Sequence, residues 1–312
     1  MKILLSESRD FSPRAMEVLK TLGDVVAGDL DRAELIGAIS DVNVLWVRLR
    51  HRIDRELLDA ACKLRVIASP TTGLDHIDLA SAAERGITVV SLRGATEFLR
   101  DVRATAELTI GLMLSLLRQI GAASRDVVAG NWNRDRFKGR ELRGATVGLV
   151  GYGRLGRLVA GYLRAFGANV IATDPYVSTA DVPLVALSAL LAQSDIVSLH
   201  VALTEQTHGL IDARAFSGLK PGALLINTSR GAIVDETALL SALDSGRLAG
   251  AALDVIAGEH SDGLRDSPLV AYAAGHENLL ITPHIGGCTF ESMEATEVYL
   301  AEQLREAVRT GT

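Results

Sequence analysis

The chain has 312 residues, enough for two domains of ordinary size. A composition of 48% hydrophobic and 22% charged residues excludes a disordered chain. The net charge of -6 argues against nucleic-acid and anionic-membrane partners, and two cysteines, Cys62 and Cys288, are too few for a disulfide framework, so a reduced, cytoplasmic setting is expected.

The N-terminal apolar run Ile3-Leu4-Leu5 reads as a buried strand and is too short for a signal-peptide core. Further strands are expected at 42–47, 64–68 and 87–90, with helical stretches at 13–22, 32–39, 56–61 and 77–84. This alternation is the rhythm of βαβ units on a parallel sheet. A long helical stretch at 103–129 comes next. Its most apolar part, 108–117, is about half of what a membrane span needs. Strands resume at 146–150, 169–173, 196–199, 223–227, 250–255 and 279–282, and a helix at 290–308 closes the chain. The fold class is α/β, with one doubly wound parallel-sheet domain, 99–286, inserted into a discontinuous second one, 1–98 and 287–312.

The strand at 146–150 runs into Gly151-Tyr152-Gly153-Arg154-Leu155-Gly156, and a helix follows at once. In a Gly-x-Gly-x-x-Gly pattern the first glycine makes the turn, the second lets a pyrophosphate approach, and the third lets helix and strand pack. Asp174 ends the next strand, near the distance expected of a carboxylate that accepts both ribose hydroxyls. It would repel a 2′-phosphate, so NAD is expected rather than NADP. The spacing marks a Rossmann domain, and no metal is called for.

Three later strand ends carry candidate chemistry. Asn227-Thr228-Ser229-Arg230-Gly231 places an arginine suited to clamp a carboxylate, unless it is a surface residue paired with Asp235. Asp254 and Glu259 follow the next strand, and each alone reads as a loop carboxylate. Thr282-Pro283-His284-Ile285-Gly286-Gly287 holds a histidine between Pro and a Gly pair. Histidine exchanges protons near neutral pH, and an adjacent Glu favours its protonated form. Together these are the parts for hydride transfer to a 2-oxo acid: a cofactor, a cation for the carboxylate and carbonyl, and a proton donor.

These motifs, in this order, resemble the D-isomer-specific 2-hydroxyacid dehydrogenases, a family that includes D-3-phosphoglycerate dehydrogenase, glyoxylate/hydroxypyruvate reductase and formate dehydrogenase. The resemblance implies an inserted Rossmann NAD-binding domain in a flavodoxin-like substrate domain. It implies Arg230, Glu259 and His284 as catalytic residues. It also implies that Gly151, Gly153, Arg154, Leu155, Gly156, Asp174, Val201, Thr228, Ser229, Arg230 and Asp254 line the NAD site, with His284, Gly286 and Gly287 over the nicotinamide and Asp254 on its carboxamide. Substrate contacts would come from Thr72 and Gly73 in the loop 69–78, and from Arg48 and Arg50, which resemble the paired arginines that reach a substrate phosphate in phosphoglycerate dehydrogenases. The alternative is two exposed loop arginines. A homodimer through the NAD-binding domain is implied, with the helix at 103–129 contributing, and so are hinges near 98–103 and 286–290 and a cleft that closes on a small 2-oxo or 2-hydroxy acid. Formate dehydrogenases carry Gln where this chain has Glu259.

The chain departs from the family pattern in three places. The segment 91–101 is longer, and it adds Arg93 and Arg100. His260-Ser261-Asp262-Gly263 stands where Pro usually follows Glu259, and Ala202 replaces another usual Pro. The chain is short for a regulated phosphoglycerate dehydrogenase, so only an unregulated form fits. Two other readings stay open: an NAD-sensing corepressor-type module without turnover, and phosphite oxidation.

Overall fold

The computed structural model describes residues 1–259, 264 and 266–310. In chain order the elements are β1 (Lys2–Leu5), α1 (Pro13–Lys20), β2 (Asp24–Ala27), α2 (Arg32–Ala38), β3 (Val44–Trp46), α3 (Arg55–Ala60), β4 (Val66–Ser69), α4 (Leu79–Glu84) and β5 (Thr88–Ser91). There follow α5 (Ala104–Leu117), α6 (Ile120–Val128), β6 (Thr146–Val150), α7 (Arg154–Ala165), β7 (Asn169–Thr173), α8 (Leu187–Gln193), β8 (Ile196–Leu199) and α9 (Ala213–Gly218). The last are β9 (Ala223–Asn227), α10 (Glu236–Asp244), β10 (Leu248–Leu253), α11 (Pro268–Gly275), β11 (Leu279–Ile281) and α12 (Phe290–Thr310). The chain divides into two compact units, Met1–Val102 with Cys288–Thr312, and Arg103–Gly287.

The first unit holds a parallel sheet in the order β2-β1-β3-β4-β5, the flavodoxin-type arrangement. Its central strands β1, β3 and β4 are buried on both faces. Leu4, Leu45 and Ile67 join one core, while Ile3, Leu5, Trp46 and Ala68 join the other with Leu300, Ala301 and Leu304 of α12. That is the burial expected when helices cover both sides. β2 escaped the sequence reading because it is an edge strand with three of its four residues exposed, so it has no apolar run. The longer segment 91–101 is anchored here. Leu92 and Leu99 are buried, and Phe98 stacks on Tyr299 with centroids 4.0 Å apart. Arg93 and Arg100 are exposed.

The second unit holds a parallel sheet in the order β11-β10-β9-β8-β6-β7. Alternate residues feed opposite cores: Val150, Leu199, Leu225 and Leu253 on one face, Leu149, Ile226 and Ala252 on the other. The expected continuous helix at 103–129 is corrected to two. Gln119 adopts φ 51°, a left-handed conformation that ends α5 and restarts the chain as α6. Ser12, Asp31, Asp54, Asp78, Asp212 and Asp235 each cap a helix by accepting a first-turn N–H. At the start of α7 stands Gly153, with no side-chain cap.

Candidate active site

Strand order in the second unit reverses between β6 and β8, and in open α/β sheets ligands bind at the strand ends beside such a point. The chain leaves β6 through Gly151 at φ 98°, and a Cβ there would stand 2.5 Å from the His200 carbonyl oxygen. A Cβ on Gly156 would stand 2.3 Å from the Gly151 carbonyl oxygen, so α7 starts hard against the turn. At Gly153 a Cβ would meet nothing within 4 Å. Open space before uncapped helix N–H groups suits a diphosphate, so these residues fit a dinucleotide. Arg154 and Leu155 open the helix half-buried, and burial pushes the Arg154 guanidinium down.

Around this crevice the strand ends are tied together. Ser229 Oγ donates to the Leu199 carbonyl at 2.7 Å, and the Thr228 and Thr109 hydroxyls share a hydrogen bond at 3.0 Å. Val201 lies half-buried just past β8. Beside it, burial pushes the His200 imidazole down to about 4, so this ring is neutral and offers the site no charge. Asp174, just past β7, accepts the Tyr152 N–H on Oδ2 at 2.8 Å and the Tyr176 N–H on Oδ1 at 2.9 Å.

Arg230, Glu259 and His284 follow three neighbouring strands, β9, β10 and β11. His284 Nδ1 lies 2.6 Å from Glu259 Oε1, with the side chains 21% and 17% exposed. His284 has φ 53°, a conformation uncommon outside glycine and often found where function holds the backbone under strain. Its N–H donates to the Asp254 carbonyl at 2.9 Å. The Asp254 carboxylate accepts from Thr282 Oγ1 (2.6 Å), Ile285 N (2.9 Å) and Gly286 N (2.8 Å). Asp254 is 1% exposed. Its carboxylate organises the turn that presents His284. Gly286 packs against it, and Gly287 is open.

Arg230 Nη1 donates to the Ser229 carbonyl at 2.7 Å, while Asp235 caps α10. A Cβ on Gly231 would lie 2.0 Å from the Ile256 carbonyl carbon, so only glycine lets the loop from β10 to Glu259 pass. Glu236 accepts the Ala257 N–H at 2.6 Å and fixes the same loop. Glu236 went unnoticed in the sequence because an acidic residue in a first helical turn reads as a complement to the helix dipole. The unusual residues 260–263 lie outside the described residues.

In the first unit, Arg48 and Arg50 follow β3, beside the point where that sheet's strand order reverses between β1 and β3. Glu7, just past β1, accepts the Arg48 N–H at 2.8 Å and the Arg50 N–H at 3.3 Å. The two arginines are not an equivalent pair. The Arg48 Nε and Nη2 donate to Glu297, its Nη1 donates to the Arg9 carbonyl at 2.9 Å, and it lies over the Phe11 ring. Arg48 is therefore corrected to a part-buried structural cation. Arg50 is half-exposed and 3.5 Å from Asp29. Thr71 Oγ1 donates to the Gly73 carbonyl at 2.8 Å. Among the described residues, the Thr72 and Gly73 N–H groups have no protein acceptor. Also among the described residues, no acidic, His or Cys cluster could hold a metal, and no helix is long and apolar enough to cross a membrane.

The model of the D-isomer specific 2-hydroxyacid dehydrogenase NAD binding domain matches residues 110–286. A D-3-phosphoglycerate dehydrogenase of Mycobacterium leprae is 38% identical over 303 residues, covering 94% of this chain and 55% of that protein. The chain thus spans about half the length of that relative. A hydroxypyruvate reductase of Thermotoga maritima is 37% identical over 284 residues, covering 90% of each. The crystal structure of an Aquifex aeolicus D-lactate dehydrogenase complexed with NAD and lactic acid superposes with a TM-score of 0.85 at 28% identity, covering 99% of this chain and 96% of that one.

Proposed function

The chain belongs to the D-isomer-specific 2-hydroxyacid dehydrogenase family, with that family's NAD-binding domain, and we propose that it transfers a hydride between NAD(H) and a small D-2-hydroxy acid/2-oxo acid pair. The carrying observation is the 2.6 Å contact between His284 and Glu259, one strand end away from Arg230. Gly151, Gly153 and Gly156 with α7 hold the dinucleotide's diphosphate, and Asp174 takes the ribose hydroxyls. Bound NADH supplies the hydride. Arg230 clamps the substrate carboxylate and, with protonated His284, stabilises the carbonyl oxygen as it gains charge. His284 Nε2 gives that oxygen its proton, while Glu259 holds the ring through Nδ1. Formate oxidation releases no such proton, so the Glu–His pair supports a hydroxy acid instead.

Thr72 and Gly73 offer their N–H groups to the substrate carboxylate. With Arg48 occupied by Glu297, Arg50 is the remaining candidate for a second anionic group, which supports an unphosphorylated acid such as glyoxylate or hydroxypyruvate. The mycobacterial relative's name keeps 3-phosphoglycerate as the second reading. Loss of NADH absorbance against glyoxylate, pyruvate, hydroxypyruvate, 2-oxoglutarate and 3-phosphohydroxypyruvate decides between them. Preference for an unphosphorylated acid is expected; preference for the phosphorylated one returns Arg50 to phosphate binding. NADH binding without turnover on any of them would favour an NAD-sensing module.

The protein acts as a homodimer in the cytoplasm. The support for the second copy is an apolar surface on and after α6, where Ile120, Val127, Val128 and Trp132 are 52%, 48%, 87% and 88% exposed. Two exposed free cysteines suit a reducing compartment. Light scattering on wild type should give a dimer mass, and Trp132→Glu should shift it toward the monomer. An unchanged mass in the variant would remove this surface from the interface.

A further inference from the structure

We propose that Tyr152, the first variable residue of the glycine fingerprint, is a positioning residue that orients Asp174 by clamping the loop after β7, and that it thereby helps set the preference for NADH over NADPH. The inference rests on Asp174 taking the ribose hydroxyls.

The loop is closed on itself. The chain leaves β7 at Asp174 and returns to that strand's outer edge at Pro183, where Ala172 N donates to the Pro183 carbonyl and Val185 N to the Ala172 carbonyl, each at 2.9 Å. Between those points, the fingerprint and its helix hold the loop by side chains. Tyr152 Oη donates to Asp181 Oδ1. Arg164 pairs with Asp181 Oδ2 at 2.6 Å and also donates to the Asp181 carbonyl at 3.3 Å. Arg157 lies 4.7 Å over the Tyr152 ring and donates to the Thr179 carbonyl at 3.3 Å. Arg157 and Arg164 are seven residues apart on α7, so they share one face of the helix.

This clamp bears on Asp174 because the carboxylate takes one N–H from each side of it, from Tyr152 in the fingerprint and from Tyr176 in the loop. With one lone pair of each oxygen engaged, a second on each remains to accept two vicinal hydroxyls. If the loop drifts, the Tyr176 N–H leaves and the carboxylate is free to rotate. A rotated carboxylate grips the diol less well and repels a 2′-phosphate less. The protonation states suit a permanent clamp. Burial and the Asp181 hydrogen bond push the Tyr152 phenol up to about 12, and the Tyr152 and Arg164 contacts hold Asp181 down to about 2.

The Tyr152 residue is 0% exposed, and its hydroxyl holds the loop through Asp181, so Tyr152→Phe removes the clamp bond and keeps the packing. The test is fluorescence titration of NADH and NADPH with wild type, Tyr152→Phe, Arg164→Ala and Asp174→Ala, which needs no turnover. Tyr152→Phe should weaken NADH roughly fivefold to tenfold, the net range of one ordinary hydrogen bond because the lost contact acts on Asp174 only through the loop, and NADPH clearly less, so that the preference narrows. Arg164→Ala should move it in the same direction. Equal weakening of both cofactors, or no change, while Asp174→Ala does narrow the preference, overturns the inference. If Asp174→Ala itself leaves the preference intact, the ribose reading of Asp174 fails first.

Discussion

His284→Asn should lower the rate of 2-oxo acid reduction roughly 100- to 10,000-fold, the usual contribution of a positioned acid–base group, while NADH still binds. Asparagine is the informative replacement. His284 sits at φ 53°, and Asn is one of the few side chains that tolerate that region. Alanine there would add backbone strain of about 1–2 kcal/mol and mix a folding defect with a chemical one. The turn itself is built by Asp254 through three donors, and none of them belongs to the His284 side chain. The variant should therefore melt close to wild type and keep the loop. Glu259→Gln should give a smaller loss, because Gln can still accept a hydrogen bond from Nδ1 and orient the ring, though more weakly than a carboxylate. Stopped-flow or steady-state rates at saturating NADH measure both. A loss in His284→Asn of less than about tenfold would remove His284 as the proton donor.

The fold was legible where burial shows in the sequence. The strands around the fingerprint are apolar runs because helices cover both faces, and the glycines mark places where a Cβ would strike the His200 or Gly151 carbonyl. β2 was not legible because an exposed edge strand needs no apolar side chains. The break at Gln119 was not legible because nothing in the side chain demands a left-handed turn. At the site, residue types were readable but commitments were not. Arg48 looked like an anion ligand until its partner, Glu297, was found 249 residues away in α12. Glu7 and Glu297 illustrate why: burial pushes both carboxyls up, the Arg48 and Arg50 backbone N–H groups draw Glu7 back, the Ser12 N–H and the Arg48 guanidinium draw Glu297 back, and no local pattern announces such a match. Asp254 read as a strand-end acceptor, and packing shows its oxygens organising the histidine turn. Sequence reports which groups could act on a ligand. Only packing reports which are already engaged by the protein.

Arg230→Ala should cut the catalytic efficiency at least 100-fold to 1,000-fold, the scale seen when one donor to a developing oxyanion is removed, with NADH affinity within a few-fold of wild type. The separation follows from placement. The diphosphate cradle is made by the turn after β6 and the start of α7, whereas Arg230 follows β9 and belongs to the short turn that includes Gly231–Ile233. Truncation should therefore spare the cradle. Lysine is the discriminating companion. It keeps the charge and loses the planar fork, so Arg230→Lys should recover only part of the lost efficiency if the clamp is bidentate. If Lys restores nearly all of it, Arg230 acts as a point charge. Full activity in Arg230→Ala would mean that the substrate carboxylate is held elsewhere, with the Thr72 and Gly73 N–H groups as the next candidates. The carboxylate clamp would then pass from the NAD-binding unit to the first unit's loop after β4.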